Sequence, residues 1–473
     1  MSFFSLPFAL AFTGLFLLWW ALPVKIRPGL LALANLLFAL LLGLRVALVL
    51  LLITAIGWCC GLILKKKPTT PLLCAGIAAL LLPLALYKYL PVLAGHFLWA
   101  ADFAQLLAPL GLSFYTFKSV SYLIEVKKGS LAPILNPAAY FAYVGFFAQL
   151  PMGPIQRPEA FFAQLSSLPQ ALSCSKAFNA CTRICWALFL KLCLADFLAG
   201  FLSALKSPEY YYSLSMLWSL GAYCLYLYLD FAAFSQIAIG FGELLGLSCG
   251  ENFKSPYFSR SIGEFWRRWH ISLSSFLKDY VYIPLGGSRC GTARLILATM
   301  VTFLLSGVWH GATGGFLLWG ALHGIYLLCG RLTKNWRSRF WAGLPRFFAG
   351  PIRSLCAWAF TMLLVCTGWF IFYAGTLPHA MQLLSHMLAP APFSLQYVKE
   401  SLVLLGLTPH LLIKLALLLC PVALVDFASR DQGFGAWAAK LRPAARVLFC
   451  YGCIFAVMFF GVGGSLPGVY FTF

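Results

Sequence analysis

Charge is the scarcest commodity in this sequence: only 10% of its 473 residues are Asp, Glu, Lys or Arg, against about 25% in soluble domains. That shortage excludes a water-soluble enzyme and a solvated, disordered tail. Acid is scarcer still, with 13 Asp and Glu against 34 Lys and Arg and a net charge of +21. Excess base raises the question of nucleic acid, but membrane chains collect Lys and Arg in their cytoplasmic loops, and that reading is adopted. No nucleic-acid partner is expected. What abounds is hydrophobic residues, 62% of the total. That is about 290 residues, so at ~20 per bilayer span the ceiling is about fourteen helices, and loops bring it to about ten to twelve.

Further absences narrow the chemistry. There is no G-x-S-x-G elbow, no Walker A loop and no H-E-x-x-H, so nucleophile-type hydrolases, nucleotide-driven pumps and zinc proteases lack support. Gly240, Gly242 and Gly246 have the wrong spacing for a dinucleotide fingerprint. Most of the sixteen cysteines lie in apolar runs, where they act as small hydrophobes. Cys450 and Cys453 have C-x-x-C spacing but no second pair, which argues against zinc. No basic stretch precedes the uncharged residues 3–23, so an uncleaved first helix fits better than a signal peptide.

Apolar runs bounded by charge or proline mark the expected spans: 3–23, 29–44, 46–64, 71–87, 91–117, 134–152, 177–205, 214–247, 295–330, 354–373, 411–428 and 447–470. The runs 214–247 and 295–330 exceed one span, so each must tilt, break or fold as a hairpin. Gly311-Ala-Thr-Gly-Gly315 offers the second a break. No repeat or linker divides the chain, and one integral domain over 1–473 is expected.

Arg331, Lys334, Arg337, Arg339, Arg346 and Arg353 crowd 331–353 without an acid, the loop 374–410 holds only Lys399 and Glu400, and 430–446 is basic again. The positive-inside rule puts the basic stretches in the cytoplasm, and 374–410 and the C-terminus outside. Residues 248–294 are too polar to span yet dense in Trp and Tyr, with seven basic residues. Such composition suits interfacial or re-entrant segments lining a cytoplasm-facing funnel.

Few ionisable groups lie at membrane depth, and each is costly there. His310, in Ser306-Gly-Val-Trp-His-Gly311, is either a general base or a packed histidine holding one hydrogen bond. His270 closes the aromatic–basic cluster and is either functional or an interfacial anchor. His323 lies thirteen residues past His310, and the two meet only if the glycine break folds them together; with no third ligand, no metal is expected. His96, His379, His386 and His410 look like loop or interface residues. Asp230 is expected to brace the fold against a base from 254–268. Arg183, Lys191 and Asp196 share one run and are expected to form helix-packing ion pairs. A basic mouth suits an anionic, phosphate-bearing donor, and a deep imidazole suits deprotonation of a hydroxyl.

Several ordered motifs then carry a resemblance. Asp230-Phe231, Ser235-Gln-Ile-Ala-Ile-Gly240, Glu251-Asn-Phe253, Pro256-Tyr257, Phe265-Trp-Arg-Arg-Trp-His-Ile-Ser-Leu273, Asp279-Tyr-Val-Tyr-Ile-Pro-Leu-Gly-Gly287 and Gly307-Val-Trp-His-Gly-Ala312 resemble the membrane-bound O-acyltransferase (MBOAT) family. Gly111-Leu-Ser-Phe-Tyr-Thr-Phe117 and Gly153-Pro-Ile-Gln-Arg157 add to the match, which covers about 111–330 well. The chain looks like the alginate O-acetyltransferase branch, which includes peptidoglycan and cellulose O-acetylation proteins. Ala232, Ala233 and Gln236 depart from the family pattern, which bears on local packing rather than on the reaction class.

The resemblance implies an all-α polytopic membrane protein, a ring of about ten to twelve transmembrane helices with re-entrant helices around a central tunnel. It implies acetyl-CoA as co-substrate, no bound cofactor, and His310 and His270 as the functional histidines. On this reading Lys254, Arg267 and Arg268 hold the donor's phosphates. Asp230, Ser235, Asn252, Trp266, Trp269, Tyr282 and Trp309 support the tunnel. The expected activity is O-acetylation of an envelope polysaccharide from the bacterial inner membrane, the acceptor being the glycan or a Ser on an extracytoplasmic partner acetyltransferase. A transporter or channel, or a lipid or protein acyltransferase of the same superfamily, is the alternative.

Overall fold

The structure is a computed structural model that describes residues 3–94, 108–343, 348–392 and 394–462; His96, Arg346 and the end of the run 447–470 lie outside them. The described residues are helices joined by short turns, with no strand among them. The chain opens with α1 (Leu6–Ala21), α2 (Arg27–Leu42), α3 (Leu44–Lys66) and α4 (Thr70–Ala94). Ser5 caps α1, its hydroxyl accepting from the Phe8 amide, and Gly43, at a positive φ, makes the sharp corner between α2 and α3. Then follow α5 (Leu112–Lys128), α6 (Pro137–Val144), α7 (Cys174–Leu188) and the long α8 (Ser213–Leu244). Two short helices, α9 (Ile262–Arg268) and α10 (Ile271–Leu277), precede α11 (Gly291–His310) and α12 (Gly314–Leu332). The amphipathic α13 (Lys334–Ala342), α14 (Arg353–Ala374), α15 (Leu377–Met387), α16 (Pro409–Ser429) and α17 (Pro443–Phe460) follow.

Among the described residues eight helices are long and apolar enough to cross a bilayer, and α1 and α2 are apolar but shorter. The fold is thus an all-α polytopic membrane protein. Its centre is α8, whose most apolar window is 94% buried, whereas those of α16 and α17 are 17% and 11% buried and face outward. At 1.5 Å per residue α8 is about 48 Å long, well beyond a ~30 Å hydrocarbon core. It stays one unbroken helix because protein, not lipid, surrounds it. The other long run does break, at Gly311–Thr313, into the hairpin α11–α12.

Two expected spans are corrected, and a third, 177–205, is a contiguous helical stretch over 174–199 with a π-helical segment inside it. The run 91–117 is not one span, since α5 starts only at Leu112. The run 134–152 forms α6 and a 3-10 turn at Phe147–Gln149, both too short to cross and both buried. In the stretch 174–199, α7 leads into the π-helical Phe189–Ala195 and the short Asp196–Ala199. Its internal charges hold it inside the protein, against α8.

The hairpin is held by close backbone approach. A Cβ on Gly320 would overlap the Phe303 carbonyl, and one on Gly307 the Phe316 carbonyl, so α11 and α12 touch through small residues as membrane helices commonly do. Gly320→Ala is expected to destabilise the protein by about 1–3 kcal/mol through overpacking. Gly221→Ala, in α8 with nothing near the new methyl, should hold or raise the melting temperature measured in the same detergent.

Candidate active site

The site forms where the short helices α9 and α10 meet the hairpin. A cavity of about 1280 Å³ opens there. Leu295, Thr299, Thr302 and Ser306 give it one stripe of α11, and Ala357, Phe360, Thr361 and Leu364 a second stripe, of α14. Its cations are Arg260, Arg267, Lys278, Arg331, Lys334 and Arg337, while Trp266, Phe303 and Leu327 line apolar wall. Ser306 lies one turn, about 6 Å of rise, before His310.

His310 is the last residue of α11, at the helix end rather than midway along a span, and is buried. Rings enclose it: Trp309, Trp319 and Phe372 lie at centroid distances of 4.5, 4.9 and 5.0 Å. His270 packs on Phe231 and on the same Trp309, at 4.7 and 6.2 Å. The two histidines, forty residues apart, therefore share one indole.

His270 sits at φ 41, the left-handed region, which costs a non-glycine residue about 1–2 kcal/mol. Asn252 holds that turn. Its carbonyl accepts from the Ile271 amide (2.9 Å), and its Oδ1 accepts from the Ser272 amide and hydroxyl (3.2 and 2.9 Å). Because Oδ1 is fixed as an acceptor, the His270 Nδ1 contact with it, at 3.2 Å, makes Nδ1 the protonated nitrogen. Nε2 is then a buried lone pair with no hydrogen-bond partner among the described residues.

Burial pushes the His270 pKa down to about 3, so the ring is neutral at pH 7. The unfolded chain takes up a proton near pH 6.5, and the folded one resists until about 3. Stability should therefore fall as the pH drops below about 6.5. His270→Asn, which tolerates the left-handed turn, should flatten that slope in melting curves recorded between pH 4 and 7.

The glycine break does fold His323 toward His310: both pack on Trp319, His323 at 5.0 Å. The Trp266 indole donates to His323 Nδ1 at 3.3 Å, so this histidine joins the cavity wall to the ring cluster. No group of three His, Cys, Asp or Glu suited to a metal occurs among the described residues.

Asp230 braces the fold, but its partner is corrected. Lys191 Nζ lies 2.8 Å from Asp230 and 2.7 Å from Asp196, all three buried; no base from 254–268 is involved. The neighbouring Phe231 faces His270, so the ion triad fixes the ring behind that histidine. Arg183 pairs with Glu243 and Glu251 and donates to Gln236. Both clusters are packing ion pairs.

The three expected donor-binding cations part company. Arg267 is exposed and lines the cavity. Arg268 is bound by Glu264, Asp431 and the carbonyls of Lys254 and Arg430, and neither it nor Lys254 lines the cavity. Tyr282 and Trp266 do. Trp269 is buried among Phe253, Phe265 and Trp369, and Ser235 is buried with no bond to its hydroxyl among the described residues.

Sequence reasoning missed Lys88 and Tyr89. It ended the run at 87, whereas α4 continues to Ala94. Lys88 Nζ donates to the Trp309 carbonyl, and the Tyr89 hydroxyl to that of Val308 at 2.6 Å. The apolar residues after Lys88-Tyr89 were the signal that the helix runs on past them.

Apolar helices packed around the buried α8, with His270 and His310 buried near a basic-mouthed cavity that neither of them lines, define a polytopic membrane protein that keeps two imidazoles away from water. The family model for the membrane-bound O-acyltransferase family matches residues 130–374, just over half of the chain, and the protein belongs to that family. It is 38% identical over 345 residues to a probable alginate O-acetylase of Pseudomonas fluorescens, covering 72% of this chain and 65% of that protein. It is 30% identical over 355 residues to a peptidoglycan O-acetyltransferase of Helicobacter pylori (69% and 66% covered). Against a teichoic acid D-alanyltransferase of Bacillus subtilis the figure is 26% over 316 residues (65% and 78% covered). The chain thus spans about 65% of the length of the alginate relative it matches.

Proposed function

We propose that this protein is an O-acetyltransferase that moves acetyl from cytoplasmic acetyl-CoA to an extracytoplasmic hydroxyl, for O-acetylation of a cell-envelope polysaccharide. The relatives named for alginate and peptidoglycan acetylation support the class of reaction. The observation that carries the reading is the cavity, whose cations suit the phosphates of coenzyme A and whose lining includes Ser306, one turn before His310. Arg267, Arg331, Lys334 and Arg337 bind the phosphates, and the pantetheine arm runs along Leu327, Phe303 and Thr302.

His310 takes the proton of the acceptor hydroxyl as its oxygen attacks the thioester carbon. The tetrahedral intermediate collapses, the C–S bond breaks, and the thiolate leaves with the proton that His310 holds. His270, neutral and offering a lone pair, positions the donor by accepting a hydrogen bond. The protein works in the bacterial inner membrane with its basic loops in the cytoplasm and its C-terminus outside. A Ser of an extracytoplasmic partner acetyltransferase receives the acetyl group.

Purified protein in nanodiscs, given radiolabelled acetyl-CoA and a serine-bearing partner or oligosaccharide, should release coenzyme A and label the acceptor. An intact thioester after incubation would instead mark a transporter. Label from long-chain acyl-CoA alone would mark a lipid or protein acyltransferase.

A further inference from the structure

Lys88 sits in the spanning part of α4, and its ammonium has an unusual environment. It donates to the Trp309 carbonyl and lies 5.4 Å from the centroid of the Trp309 indole. No carboxylate forms an ion pair with it among the described residues. A cation at membrane depth is costly unless compensated: Lys191 has two aspartates and Arg183 two glutamates. Lys118, buried and held by Gln149 Oε1, shares with Lys88 the lack of a carboxylate among the described residues, and of these two it is Lys88 that bonds to the last turn before His310. Lys88 is also close enough to His310 to act on it electrostatically. A positive charge without a carboxylate partner among the described residues thus lies beside the histidine where acyl transfer is proposed.

The reaction supplies the missing negative charge. When the acceptor oxygen bonds to the thioester carbon, the C=O π pair moves onto the carbonyl oxygen. When the C–S bond breaks, that pair returns and the sulfur leaves. His270 cannot stabilise the transient oxyanion, because its Nδ1 proton is committed to Asn252 and its Nε2 presents a lone pair. His310 is occupied with the hydroxyl proton. We propose that Lys88 is a catalytic residue that stabilises the carbonyl oxyanion of the tetrahedral intermediate, a role that rests on the acyl-transfer reading above. Its hold on the Trp309 carbonyl ties the ammonium to the last turn of α11, which ends in His310. A donor of this kind is typically worth about 10²–10³ in kcat.

Lys88→Gln keeps a donor for the Trp309 carbonyl but removes the charge. With acetyl-CoA and acceptor saturating, its kcat should fall about 100-fold or more, with KM for acetyl-CoA little changed. Lys88→Arg should recover at least about tenfold over Lys88→Gln. Tyr89→Phe removes the neighbouring clamp bond without touching charge, and should lower the melting temperature while leaving kcat within about threefold. Lys88→Met replaces Lys88→Gln if the latter does not insert. The role is overturned if the uncharged variant keeps wild-type kcat, if its loss lies in KM alone, or if Tyr89→Phe lowers kcat as much. Wild-type protein that transfers no acetyl at all would overturn the functional reading itself, a result the Lys88 variants cannot mimic.

Discussion

His310→Ala should leave a folded, inserted protein whose acetyl transfer is lower by about 10²–10⁴-fold, the usual worth of general-base help. The ring is enclosed by Trp309, Trp319 and Phe372 and closes a helix, so truncation empties a small space without unpicking the fold. Coenzyme A release in single-turnover mixing experiments is the measurement. Binding of coenzyme A, measured by calorimetry on the same preparation, should change little, because the cations proposed to hold its phosphates line a cavity that His310 does not. A variant with unchanged turnover would move the chemistry elsewhere.

Lys191→Met should cost about 3–5 kcal/mol of stability, the penalty for stripping one partner from a buried ion cluster. It would leave Asp196 and Asp230 without their shared ammonium in a fully buried site. The melting temperature in detergent should drop sharply, and activity at low temperature should drop with it, because Phe231, which backs His270, follows Asp230 on α8. The triple variant Lys191→Met, Asp196→Leu, Asp230→Leu should recover much of the lost stability, since apolar replacement of a whole buried cluster is often neutral or better. Failure of that recovery would mean the triad does more than hold α7 and its extension against α8.

Much of this was legible in the sequence. The scarcity of charge and the length of the apolar runs gave the membrane class, and Gly311–Gly315 gave the hairpin, because glycine-rich breaks are local. The motifs around His270 and Trp309-His310 singled out two histidines that the structure brings onto one indole. What periodicity could not show was partner choice at long range. Asp230 takes Lys191, 39 residues earlier, rather than a nearer arginine, because α7 runs against α8. Arg267 and Arg268 are adjacent, yet one faces the cavity and the other is consumed by Glu264 and backbone carbonyls; successive helical residues point about 100° apart. Lys88 was hidden because a charge was read as the end of a run when it was a deep residue inside one.

One junction has a mechanical meaning. The turn after His310 is tied to the segment that leaves α14: the Thr313 hydroxyl and the Gly315 amide both donate to the Gly375 carbonyl. Three residues beyond the imidazole, the hairpin and the stretch leading into α15 are thus bolted at a single atom. Displacement of the segment after Ala374 would therefore reach the turn that follows His310 through two hydrogen bonds.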